Sequence, residues 1–159
     1  MKTGDIIACK GNRLLSKLIM KFTNSKYSHV SVAVNINGDV YIAEMQKEGC
    51  ILIAYDNWQK KYNYTYEVYE PFDRVRLSEI LSVSGVVRYD RVSLLIRQPI
   101  KIIREKIFGK KLTLDKHKDE TSKMTCSEYV AWLYRFDNFQ DYTPDDVVKE
   151  CIKMEWKKT

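Results

Sequence analysis

The dipeptide Asn37-Gly38 constrains this chain more than any other feature. It separates two runs that alternate apolar and polar residues, His29 to Ile36 and Asp39 to Met45. A two-residue Asn-Gly connection favours a type I′ turn, which closes a β-hairpin and fixes its register. Ile36 then pairs with Asp39, Val34 with Tyr41, Val32 with Ala43 and Val30 with Met45, and these side chains share one apolar face that needs a core. The opposite face carries Ala33 against Ile42, Ser31 against Glu44 and His29 against Gln46. Glu44 lies diagonally from His29, at roughly 7–8 Å between Cβ atoms at most, a gap that a glutamate side chain spans. Either Glu44 or Gln46 is placed to hold one ring nitrogen of the imidazole and so set its tautomer. Small Ser31 leaves room beside the ring. On the hairpin alone two readings stand: a polar cluster that positions a histidine, and a solvated sheet face on which His29 and Glu44 meet water. General burial preferences favour the second.

Around the hairpin the patterning alternates between strand and helix signals. Residues 4 to 9 read as a short strand, and residues 50 to 54 and 64 to 69 as two more. The expectation is an antiparallel sheet of about five strands. Residues 12 to 22 read as an amphipathic helix, with Leu14, Leu15, Leu18, Ile19 and Phe22 at helical spacing. Arg13, Lys17 and Lys21 form a stripe on another of its faces. Such a helix most often walls a core, and the alternative is a basic helix lying on an anionic surface. After Pro71 the pattern turns helical. Residues 77 to 87 and 90 to 108 are candidates, the second interrupted by Pro99. Residues 109 to 123 are densely charged and read as an exposed, mobile loop. Residues 125 to 136 form an apolar helix, and Thr143-Pro144-Asp145-Asp146 carries the cap, proline and acids of another helix start. Strands early and helices late make the class α+β, in a single domain spanning residues 1–159.

Composition narrows the function classes. The chain has 159 residues, 45% of them hydrophobic and 30% charged, so wholesale disorder is excluded. No run approaches the roughly 20 apolar residues of a membrane span, and no apolar leader opens the chain. The expected location is cytoplasmic or peripheral to a membrane. The net charge of +6 is, on its own, first a solvated basic surface. It also suits an anionic neighbour such as phospholipid or cell-wall polymer. The basic residues are dispersed and no nucleic-acid motif appears, so nucleic acid is not an expected partner.

Four cysteines occur, at 9, 50, 126 and 151, with no C-x-x-C pair, so no metal site or other cofactor is expected. With no leader the thiols are expected to be reduced. Cys126 opens the apolar helix. There the helix dipole and free N–H groups lower a thiol pKa and can donate to a developing oxyanion. An imidazole beside it would complete an activated nucleophile. The competing reading is a small buried apolar residue, the role that Cys9 and Cys151 suit. Cys50, after Gly49 at a strand start, is undecided. Only His29 and His117 can serve as the partner.

Four motifs in order carry a resemblance to a known group: Gly4-Asp5-Ile6-Ile7, Tyr27-Ser28-His29-Val30-Ser31-Val32-Ala33-Val34, Tyr41-Ile42-Ala43-Glu44 and Cys126-Ser127-Glu128-Tyr129-Val130. Together they resemble the NlpC-type papain-like superfamily, and more narrowly its circularly permuted YiiX-like branch, which is related to lecithin:retinol acyltransferase. Tyr89-Asp90 with Leu94-Leu95, and Thr143-Pro144-Asp145-Asp146, are similar to that branch as well. The likeness runs from Gly4 to about Val148. It implies a circularly permuted papain-like fold with the nucleophile helix C-terminal to the sheet. It further implies Cys126 as nucleophile, His29 as general base and Glu44 as the group that orients the histidine. Gln46, Ser31 and Tyr27 are further candidates for substrate or oxyanion contacts. Thr125 stands where relatives often carry an aromatic, so no oxyanion role is implied for its side chain. The charged segment around His117 has no counterpart, and His117 is expected to face solvent.

The function so implied is a cysteine hydrolase of a peptide or isopeptide amide, with cell-wall peptide among the candidate substrates. Two alternatives stand beside it. One is an acyltransferase or thioesterase acting on lipid or other esters at an anionic membrane surface. The other is a binding module without catalysis on the same scaffold. The oligomeric state is not specified by the sequence.

Overall fold

A computed structural model describes residues 1–46, 48–83, 87–89 and 123–159. Strands β1 (Ile6–Lys10), β2 (His29–Ile36), β3 (Asp39–Gln46), β4 (Gly49–Ala54), β5 (Thr65–Glu70) and β8 (Lys157–Lys158) form one antiparallel sheet in the order β4-β3-β2-β1-β5-β8. The sheet has six strands rather than about five, because the chain end returns to pair Lys158 with Tyr69 and Lys157 with Glu70. Among the described residues five α-helices lie between β1 and β8: α1 (Leu14–Thr23), α2 (Tyr55–Tyr62), α3 (Leu77–Ser82), α4 (Cys126–Leu133) and α5 (Pro144–Lys153). Two short strands, β6 (Arg88–Tyr89) and β7 (Lys123–Met124), pair in parallel apart from the main sheet. The expected helices over 90 to 108 and the expected loop with His117 lie outside the described residues. The expected helix from 77 is shorter, ending at Ser82.

The hairpin follows the turn chemistry. Asn37 and Gly38 both take positive φ, at 54° and 98°, as a type I′ turn requires. Ile36 pairs with Asp39, Val34 with Tyr41 and Val32 with Ala43, the register expected from the sequence. Val30, Val32, Val34, Ala43 and Met45 join Ile6 and Ala8 in the main core, against Tyr129, Val130 and Leu133 of α4 and Val147 and Cys151 of α5. Helix α4 is buried on nearly every side, which its apolar sequence permits.

The second sheet face is not solvated. Ile7, Cys9, Ala33 and Ile42 form a smaller core closed by the fully buried Trp58 of α2. Ser31 and Glu44 are 0% exposed and His29 8%. The reading of a water-facing His29 and Glu44 is therefore overturned, and α2 is the physical reason.

Helix α1 departs from expectation in the opposite direction. It does not wall a core: none of its residues is buried, and Leu14, Leu15, Leu18 and Phe22 all stand exposed.

Candidate active site

Three elements meet at the start of β2. His29 is its first residue, Glu44 lies on the neighbouring β3, and Cys126 is the first residue of α4. Helix α4 begins there because Thr125 caps it. The Thr125 hydroxyl accepts from the Glu128 N–H at 3.3 Å, and the Glu128 carboxylate accepts from the Thr125 N–H at 2.7 Å. This reciprocal cap fixes the first turn and leaves N–H groups beside the Cys126 sulfur.

His29 Nε2 and the Glu44 Oε2 carboxylate oxygen are 2.8 Å apart. The Cys126 thiol lies near enough to the same imidazole for each to shift the other's pKa. With Nε2 engaged by Glu44, Nδ1 is the ring nitrogen left for sulfur. The order of groups is thus Cys126, His29, Glu44. Gln46 does not hold the ring. Its Nε2 donates to the other Glu44 oxygen at 2.7 Å. The indole Nε1 of Trp58 donates to Glu44 Oε2 at 3.0 Å. Glu44 therefore accepts from three partners in a site without solvent exposure, which is how a buried carboxylate stays ionised.

The protonation states follow from this arrangement. Burial opposes charge on His29, but the neighbouring sulfur and then Glu44 outweigh it, and the imidazolium is held well above the ordinary histidine range. Burial also opposes the Cys126 thiolate. His29 outweighs that penalty, backed by the N–H groups of Val30 and Ser127, and the thiol pKa is lowered. Burial would raise Glu44, but His29, Trp58 and Gln46 bring it below the usual carboxylate value. Cys126 and His29 thus favour the thiolate–imidazolium pair. Burial instead pushes the Cys9 thiol up, and Cys151 up to about 12. All four cysteines are free thiols.

The other sequence candidates lie further out. Ser31 is fully buried on β2, on the Glu44 face, and presents no surface to a substrate. The Tyr27 hydroxyl donates to Glu67 at 2.5 Å and sits 3.4 Å from the Tyr69 hydroxyl. It lines a cavity of about 300 Å³ between α1 and β5, with Lys10, Met20 and Lys26. Two residues escaped the sequence reading. Trp58 holds Glu44, and Tyr64 stacks on His29 with ring centroids 6.0 Å apart. Among the described residues, no group of three or more His, Cys, Asp or Glu is arranged to hold a metal ion.

No protein-family model matches the sequence. No curated protein matches it either. Among solved structures, the chain is similar to the crystal structure of metalloprotein YiiX from Escherichia coli O157:H7, DUF1105. That likeness has 18% sequence identity and a TM-score of 0.49, and covers 92% of this chain and 91% of that one.

Proposed function

We propose that the chain is a cysteine hydrolase of amide bonds, built as a circularly permuted papain-like domain. The observation that carries this reading is the buried cluster at the start of β2, where Glu44 holds His29 at 2.8 Å and Cys126 opens α4, with the thiol pKa lowered by that imidazole. A structural cysteine needs no such partners.

In the proposed cycle the Cys126 thiolate attacks the carbonyl carbon of the amide. The oxygen takes the negative charge and is met by the Cys126 backbone N–H at the start of α4. The tetrahedral species collapses with cleavage of the C–N bond, and the His29 imidazolium gives its proton to the departing amine. A water then attacks the thioester. His29, now neutral, accepts its proton, and the acid leaves as the thiolate and imidazolium are restored. Glu44 stays ionised throughout and holds the ring in place. Peptide or isopeptide amides, cell-wall peptide among them, are the substrate class that the sequence resemblance suggests.

A second reading keeps the same residues and replaces the amide by a lipid or other acyl ester. One observation favours it: α1 stands exposed close to the site, with Gly11 just before it against Tyr64, the residue stacked on His29. A panel of peptide amides, isopeptides and lipid esters separates the two. Cys126→Ala and His29→Ala should each abolish turnover of whichever class is cleaved, and Glu44→Ala should reduce it less. Full activity in Cys126→Ala would contradict the mechanism.

A further inference from the structure

Helix α1 turns its mixed face inward and its most apolar face outward. Ser16, Ile19, Met20 and Thr23 are half-buried against the body, while Leu14 is 76% exposed, Leu15 55%, Leu18 40% and Phe22 49%. At about 100° per residue, these four apolar side chains fall within an arc of roughly 100°. Arg13, Lys17 and Lys21 occupy the adjoining exposed arc, and all three are exposed. Both ends of the helix are tied down. The Arg13 guanidinium donates to the Lys61 carbonyl at 3.1 Å, and Asn24 ends the helix in the left-handed region. An apolar ridge of this kind costs free energy in water, so something of matching chemistry covers it.

Charge decides among the occupants. From Ile6 to Gly38 the sequence holds five cations, Lys10, Arg13, Lys17, Lys21 and Lys26, and no Asp or Glu. A second copy of the chain would bring the same three helix cations, Arg13, Lys17 and Lys21, against this face. The segment from 90 to 122 is also basic, with nine Lys and Arg against five Asp and Glu. Both are opposed by like charge. A surface that is apolar beneath and anionic above matches both halves of the helix.

We propose that α1 docks the protein on anionic bilayers, with Leu14, Leu15, Leu18 and Phe22 entering the acyl boundary and the flanking cations meeting the headgroup phosphates. The proposal rests on the exposed helix face and not on the catalytic reading. The test is co-sedimentation with vesicles of phosphatidylcholine alone or mixed with phosphatidylglycerol. Wild type and Cys126→Ala should bind the mixed vesicles and not the neutral ones, with binding that weakens as salt rises. Leu18→Ser with Phe22→Ser, and separately Lys17→Glu with Lys21→Glu, should each weaken binding at least about tenfold, with unchanged thermal melts. Equal binding to both vesicle types, or binding untouched by both double variants, would overturn the proposal. So would a dimer in sedimentation velocity that the Leu18→Ser, Phe22→Ser variant abolishes, since a second copy would then be the occupant. A large drop in the melting temperature of that variant would also overturn it, by placing the ridge under the protein's own chain.

Discussion

At the scale of single residues, the site turns on Glu44. It is a carboxylate with no exposure, and Trp58, Gln46 and His29 supply the hydrogen bonds that replace water. Trp58→Phe removes one charge-assisted bond and leaves a cavity where the second indole ring packed. Unfolding in urea should then show a loss of at least about 1.5–3 kcal/mol, and turnover should fall less than in Glu44→Ala. The pH dependence has a definite sign. Glu44 has a folded pKa below its ordinary 4.5, so its stabilisation is present above that value and lost as pH falls through the lowered one. Urea midpoints measured downward from pH 6 should drop more steeply in wild type than in Glu44→Gln. Glu44 was legible in the sequence because the Asn-Gly turn fixes which residues share a face. Trp58 was not, since no local rule ties a tryptophan after β4 to a carboxylate on β3.

At the scale of elements, the nucleophile depends on how α4 begins. Thr125-Cys126-Ser127-Glu128 is a capping box as written, and Thr125 and Glu128 cap the helix reciprocally. Thr125→Ala should cost about 1 kcal/mol in chemical denaturation. It should also slow alkylation of Cys126, because a frayed first turn no longer aims the Ser127 N–H at sulfur. One element that sequence patterning missed is α2. Its residues, Tyr-Asp-Asn-Trp-Gln-Lys-Lys-Tyr, carry only a short aromatic stripe, Tyr55, Trp58 and Tyr62 at i, i+3 and i+7, of which Trp58 alone is fully buried. Its end signals were nonetheless present: Asp56 in the first turn, Lys60 and Lys61 in the last, and Asn63 in the left-handed region after it. Periodicity is a weak signal for a helix of eight residues whose core face is three aromatics, two of them tyrosines that strands also favour. It misleads for α1 in another way, because an amphipathic pattern gives the helix and its stripe but not which side faces the protein.

At the scale of the whole molecule, the candidate site joins the two ends of the chain. His29 comes from the first third and Cys126 from the last, and the sheet order that places β2 beside β1 and β3 lets α4 pack across it. Motif order in the sequence carried that juxtaposition, and the hairpin carried its third member. The sixth strand was illegible because two lysines have no strand pattern, and what holds them, backbone pairing with β5 and ion pairs to Glu67 and Glu70, is far away in sequence. The pairing of Cys126 with His29 across this distance is the central claim, and the pH dependence of iodoacetamide alkylation at Cys126, followed by mass spectrometry, tests it most directly. Wild type should react rapidly well below pH 8.5, and His29→Ala should lose that reactivity, its thiol titrating above the ordinary value because burial is no longer offset. Slow alkylation with ordinary thiol titration in both proteins would contradict an activated Cys126 and leave the fold as a scaffold without this chemistry.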